Sequence, residues 1–246
     1  MESSLAEDVG QLAQRLQAVL DPAVRVAYVR NRIAGMSPGD VAEFLILTNA
    51  GAEARQADHS DLLLALCLAL ADDESLELRA QVAAELDQRD HATLACGLRP
   101  ADDGSEDGFR VPDFGKGRPL TLGERKSLAR RGDRNLIARV VRDPDPSVIR
   151  ILLGNPAVTE NDVVRLCAAR PLPPRVQREV FRSPRWVTRY RIRLTLVLNP
   201  YTPLDVALQL ALHLSLPDQR RVADSQDLSG VLREACRRRA TPMTIH

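Results

Sequence analysis

The segment Phe181-Arg182-Ser183-Pro184-Arg185-Trp186-Val187-Thr188-Arg189-Tyr190-Arg191-Ile192-Arg193 gathers the residue types best suited to hold an anion or anchor a partner. Ser183 is placed to cap a helix and Pro184 to occupy its first turn, so the spacing predicts one helix running to about Leu198. On that helix Arg185, Arg189 and Arg193 fall at i, i+4 and i+8 and line one face, with Trp186 and Tyr190 on the neighbouring face. Arg178 and Arg182, on the preceding helix, extend the stripe. Arginine with Trp and Tyr is the composition of protein–protein hot spots. It is also the composition of surfaces that hold phosphates and stack bases. A structural reading stands beside both, in which Trp186 and Tyr190 pack between helices and the arginines form a solvated face. The chain has eight aromatic residues and two lysines in 246 positions, which favours the protein partner over nucleic acid.

Other chemistry is sparse. His59, His91, His213 and His246 have no His or Cys at the spacing of a zinc site. Cys67, Cys96, Cys167 and Cys236 never approach CxxC spacing; Cys67 and Cys167 sit in apolar runs and read as small buried hydrophobes. Gly115-Lys116-Gly117 lacks the upstream glycine and the Ser/Thr of a phosphate loop, and no nucleophile elbow or dinucleotide fingerprint is present. No catalytic residue, metal site or cofactor is therefore expected. Arg237-Arg238-Arg239 is explained by the favourable interaction of cations with a helix C-terminus.

The elements that position these residues read as helices throughout. Leu5, Val9, Leu12, Leu16, Val19 and Leu20 recur at helical spacing. Asp21-Pro22 starts a second helix over about Val24–Ala34. Ser37-Pro38-Gly39-Asp40 opens a third, to about Ala50 before Gly51, and Ser60-Asp61 opens a Leu-rich fourth. A further helix is expected from Glu74 to Asp90. The longest apolar run, Leu62 to Ala71, is ten residues, half of the roughly 20 that cross a bilayer. Met1 to Asp8 lacks the basic start and apolar core of a secretory leader. A reduced cytoplasmic protein is expected. The excess of Arg over Lys, 32 to two, points by association to a GC-rich bacterial genome.

A formal net charge of +1 hides a division along the chain. Residues 1–117 carry 10 basic and 21 acidic side chains; residues 118–246 carry 24 basic and 12 acidic. Pro100 to Pro119 is rich in Gly, Pro and acid and cannot hold a helix. The expected organisation is an acidic helical domain at 1–99, a linker at 100–119, a basic helical domain at 120–240 and a tail at 241–246.

The second half repeats. Asn155-Pro156 returns as Asn199-Pro200, 44 residues later. Each is followed by a capping Thr with Asp three residues on, Thr159/Asp162 and Thr202/Asp205; Thr121/Glu124 is another such box. A period of 40–44 residues is that of HEAT and armadillo arrays. The phrase Asp143-Pro144-Asp145-Pro146-Ser147-Val148-Ile149-Arg150, ending at Asn155-Pro156, resembles that of bacterial HEAT-like repeats and leucine-rich repeat variants, over residues 133–224. The resemblance implies a right-handed helical solenoid serving as a scaffold. The iron–sulfur module carried by some leucine-rich repeat variants does not carry over, because its clustered cysteines are missing. Some HEAT-like solenoids are DNA glycosylases, and the carboxylate such an enzyme needs would come from Asp145, Asp162 or Asp205, all at helix caps.

The expectation is thus an all-α protein whose second part is a HEAT-like solenoid. Its expected role is that of a non-enzymatic scaffold or adaptor. Arg178, Arg182, Arg185, Trp186, Arg189, Tyr190 and Arg193 form its contact surface. The partner is a protein with an acidic surface, or the acidic half of the same or another copy. Nucleic acid is the alternative, and no membrane is expected.

Overall fold

The computed structural model describes residues 2–101, 108–115 and 117–241. Every regular element among them is helical. The chain packs as two compact units, one made of Met1–Ala101 with Leu204–His246, the other of Asp102–Pro203.

The first unit is built around α4 (Ala57–Leu70), in which nine consecutive residues from Leu62 to Leu70 are buried. A helix apolar on all sides must be covered on all sides. α1 (Glu2–Gln17), α2 (Pro22–Ile33) and α3 (Pro38–Glu53) pack on it. Ser37 caps α3 by accepting from the Asp40 N–H, as its sequence predicts. α3 nevertheless runs past Gly51, where the His59 ring lies so close that a Cβ would sit 2.2 Å from its Cδ2. The glycine is a point of close approach inside a helix, not its end. α5 (Leu76–Gln88) follows a 3-10 turn at Asp73–Ser75 and packs on α6 (Ala92–Leu98).

The last three helices, α14 (Leu204–Ala211), α15 (Leu216–Asp224) and α16 (Gly230–Ala240), belong to this same unit. The Gln209 amide of α14 donates to the Gly97 carbonyl at 2.7 Å. Arg79 of α5 donates to the Leu98 carbonyl and pairs with Asp205, both side chains being buried. Arg239 of α16 reaches Asn49 and Glu53 of α3 at 2.9 and 2.8 Å. The boundaries expected from composition, 1–99 and 120–240, are corrected accordingly. The acidic, Gly/Pro-rich stretch marks where the chain leaves the first unit, while its return after Pro203 carries no such signal. Regrouped this way, the first unit holds 14 basic and 21 acidic residues and the second 20 basic and 12 acidic. Residues 102–107 and 116 of the expected linker, and 242–246 of the expected tail, lie outside the described residues. No described helix is long and apolar enough to cross a membrane.

The second unit contains two successive helix runs of one design. The first is α7 (Leu122–Ala129), α8 (Arg134–Val140) and α9 (Pro146–Gly154). The second is α10 (Glu160–Ala168), α11 (Pro174–Phe181), α12 (Pro184–Val187) and α13 (Tyr190–Val197). α7 and α10 each begin with a complete capping box, Thr121/Glu124 and Thr159/Asp162. In each run the first helix packs on the last, α7 on α9 and α10 on α13, while α11 packs on α9 and joins the runs. The repeated asparagines perform the same task. Asn155 donates to the carbonyls of Ala129 and Arg131 at the end of α7; Asn199 donates to those of Cys167 and Ala169 at the end of α10. Both satisfy carbonyls that a helix end leaves without partners.

A candidate interface built on Trp186

The segment expected to form one helix from Pro184 to Leu198 is broken. α12 ends at Val187, and Arg189 takes an extended conformation (φ −82°, ψ 121°) before α13 begins at Tyr190. Arg193 holds the break, its Nη1 donating to the carbonyls of Val187 at 3.1 Å and Thr188 at 2.8 Å. The freed carbonyls of a short helix need donors, and a guanidinium from the following turn supplies them. A helical-spacing argument cannot find this, because the arginine that seems to continue the stripe turns back onto the carbonyls at the break.

Breaking the helix redistributes the expected contact residues. Trp186 is 1% exposed, and its indole N–H donates to the Leu153 carbonyl in the last turn of α9 at 2.7 Å. It cannot touch a partner, which corrects its assignment as an aromatic anchor. Its ring instead supports two guanidinium groups, Arg185 at 4.7 Å and Arg189 at 5.4 Å from the ring centre. Arg185 and Arg189 are exposed. Tyr190, at the edge of the same surface, carries Arg193 at 5.6 Å. Arg178 lies on α11 and Arg182 at its C-terminal cap, both half-buried. The structure therefore gathers Arg185, Trp186 and Arg189 into one stack and Tyr190 with Arg193 into another. Arg193 is turned toward the backbone, not outward.

Two residues belong to this surface that helical spacing passes over. Arg191 projects from the first turn of α13, its side chain 62% exposed, and donates to the Asn161 side chain at 3.1 Å. Glu160, in the first turn of α10, accepts from Arg189 at 3.0 Å and lies 3.9 Å from Arg191. One carboxylate thus tethers two arginines, and Arg185 has no ion-pair partner among the described residues. Extended backbone at 189 is the reason: it places Arg189 and Arg191, two apart, on the same side.

The carboxylates that a glycosylase reading would enlist are committed to the frame. Asp145 caps α9, accepting from Ser147 and Val148. Asp162 closes the α10 capping box and receives a bidentate fork from Arg134 at 2.9 and 2.8 Å. Burial pushes its carboxyl up, but hydrogen bonds from Arg134 and Thr159 outweigh this and hold it down to about 2. Asp205 pairs with Arg79. Glu124 of the α7 box is gripped by Arg118 in the same fashion, and Arg118 with the Thr121 backbone holds it at about 2. Glu124 and Asp162, at the starts of the two helix runs, are thus each held by a bidentate arginine from the same unit. This use of the planar guanidinium fork gives a physical role to part of the Arg excess. Thr202 departs from the pattern: its hydroxyl lies against the Leu196 carbonyl and the Gln177 amide oxygen. No group of three or more His, Cys, Asp or Glu residues that could hold a metal occurs among the described residues.

Compared with known protein families, curated proteins and solved structures, the chain finds no significant match in any of the three. The geometry of the site carries the functional reading by itself.

Proposed function

We propose that this chain is a non-enzymatic scaffold or adaptor, a divergent HEAT-like repeat protein, that binds an acidic protein surface through Arg185, Arg189 and Arg191. One observation carries the reading: the Arg185 and Arg189 guanidinium groups are exposed, yet both are seated on the buried Trp186 ring. A cation held over an aromatic face has given up part of its side-chain freedom before any partner arrives, which lowers the entropy lost on docking. The surplus of basic residues in Asp102–Pro203 adds long-range attraction for an acidic partner. Glu160 supports this arrangement by tethering Arg189 and Arg191 without reaching Arg185. The reading places the protein in the cytoplasm, where Cys67, Cys167 and Cys236 remain buried thiols.

Fluorescence anisotropy of the full chain with a labelled glutamate-rich peptide and a labelled DNA duplex tests this. The peptide is expected to bind, to weaken as salt rises, and to be lost in Arg185→Glu/Arg189→Glu. Peptide binding that survives the charge reversal overturns the surface. Binding of the duplex but not the peptide replaces the protein partner with nucleic acid, recognisable by a steep salt dependence.

A further inference from the structure

Among the described residues of the second unit, three arginines grip their carboxylates as closed forks. Arg118 meets both oxygens of Glu124, Arg134 both oxygens of Asp162, and Arg150 both oxygens of Glu179. In each, one guanidinium matches one carboxylate, and the planar fork is used in full.

Arg189 and Arg191 are held differently. They share Glu160, and only Arg189 reaches it with a hydrogen bond, through Nη1 at 3.0 Å. Arg191 Nη1 stops 3.9 Å from the other carboxylate oxygen and donates to Asn161 Oδ1 instead. A guanidinium carries five N–H donors, and no further hydrogen bond takes up either of these two among the described residues. Both residues are exposed. Two unfilled forks therefore converge on one carboxylate at the start of α13, and that carboxylate satisfies neither as a bidentate partner.

Charge and oxygen count decide what completes them. Arg185 shares the Trp186 ring with Arg189, so three arginines gather around Glu160 and two positive charges are left over. A partner's carboxylate brings one negative charge and two oxygens. A nucleic-acid phosphodiester brings the same. A phosphorylated serine or threonine brings about −1.5 to −2 charges at neutral pH and three acceptor oxygens. It alone offers enough acceptors for two forks at once and enough charge for the surplus. We propose that the place where Arg189 and Arg191 converge binds a phosphorylated serine or threonine of the protein partner, with Arg185 adding charge beside it. This rests on the reading of Arg185, Arg189 and Arg191 as the contact surface and adds the chemical group that the surface selects. Phosphorylation of the partner then acts as the switch for docking.

The test is fluorescence anisotropy of the full chain with one labelled glutamate-rich peptide whose central residue is phosphoserine, glutamate or serine. The phosphoserine form is expected to bind about ten-fold more tightly than the glutamate form, and the serine form most weakly. Arg189→Lys/Arg191→Lys keeps both charges and removes both forks. It is expected to cut the phosphoserine affinity by a larger factor than the glutamate affinity. Glu160→Gln removes a repulsion that weighs more on a dianion, so it is expected to widen the preference. Equal binding of the phosphoserine and glutamate forms overturns the phosphoryl site and leaves the contact surface standing. Failure of all three peptides overturns both. A phosphoserine preference undiminished in the lysine variant overturns the assignment to Arg189 and Arg191. Inorganic phosphate competing as well as the unlabelled phosphoserine peptide, or a DNA duplex binding more tightly than it, overturns the protein-borne phosphate.

Discussion

The indole N–H of Trp186 donates to the carbonyl of Leu153, 33 positions earlier, and so ties the second helix run to the last turn of α9. The residue most suggestive of an exposed anchor is a buried strut. Trp186→Phe keeps most of the volume but leaves that carbonyl unsatisfied, a loss of about 1–3 kcal/mol. Trp186→Ala adds a cavity, for a total of about 3–5 kcal/mol. Denaturant titration measures both. As the only tryptophan in the chain, its emission is expected to be blue-shifted and protected from acrylamide in the native state.

The buried ion pair between Arg125 of α7 and Asp143, just before α9, gives an asymmetric mutant series. Asp143→Val alone strands the Arg125 charge and is expected to cost about 3–5 kcal/mol. Adding Arg125→Val is expected to restore most of the loss, because no buried charge is then left without a partner. Urea midpoints of the two single variants and the double variant check this. Additive losses would show that the two side chains are not coupled.

Asn155→Ala and Asn199→Ala each leave two helix-end carbonyls without a donor. Similar destabilisation of about 1–3 kcal/mol is expected from both. Aspartate is expected to be worse than alanine at either place, since it buries a negative charge against the carbonyl oxygens. Thermal melts of the four variants make the comparison.

Acid stability has a local contributor. The Asp162 carboxyl is held at about 2, below its ordinary 3.8, so it stabilises the fold above the unfolded value. That contribution is expected to fade as pH falls from about 4 toward 2. Arg134→Met removes the bidentate donor. The stability difference between the unmutated chain and this variant is expected to be largest above pH 4 and to shrink below it, measured by urea unfolding across pH.

In an ordinary helix interior, glycine to alanine gains about 1 kcal/mol. At Gly51 the sign is expected to reverse, because the His59 ring occupies the space of the new methyl. In a His59→Ala background the gain is expected to return. The double-mutant cycle, read by thermal melting, isolates that contact.

What was legible in the sequence was local. The capping boxes at Thr121 and Thr159 form, and the repeated Asn-Pro marks equivalent positions in the two runs. The Leu62–Leu70 run is buried. What was not legible depends on partners distant in sequence or on side-chain geometry. The helix Arg193 was expected to extend is broken at Arg189, and Arg193 reaches back to the Val187 and Thr188 carbonyls. Thr202 has the spacing of a cap box, but its hydroxyl finds the Leu196 carbonyl instead. Arg191 and Glu160 entered the surface only once the backbone at Arg189 proved extended. Composition located the acidic, Gly/Pro-rich stretch correctly as non-helical where described, yet it could not show that residues 204–240 rejoin the first unit.

Because the first unit is completed by α14, α15 and α16, its hydrophobic core is assembled from two segments with the whole second unit between them in sequence. During synthesis from the N-terminus, α5 and α6 wait for α14 until more than a hundred further residues have been made. Arg239 then locks α16 to α3 across 186 to 190 positions. A chain stopped anywhere in the second unit leaves the first with an open seam at Arg79 and Gly97. Only a chain extended through α16 closes it.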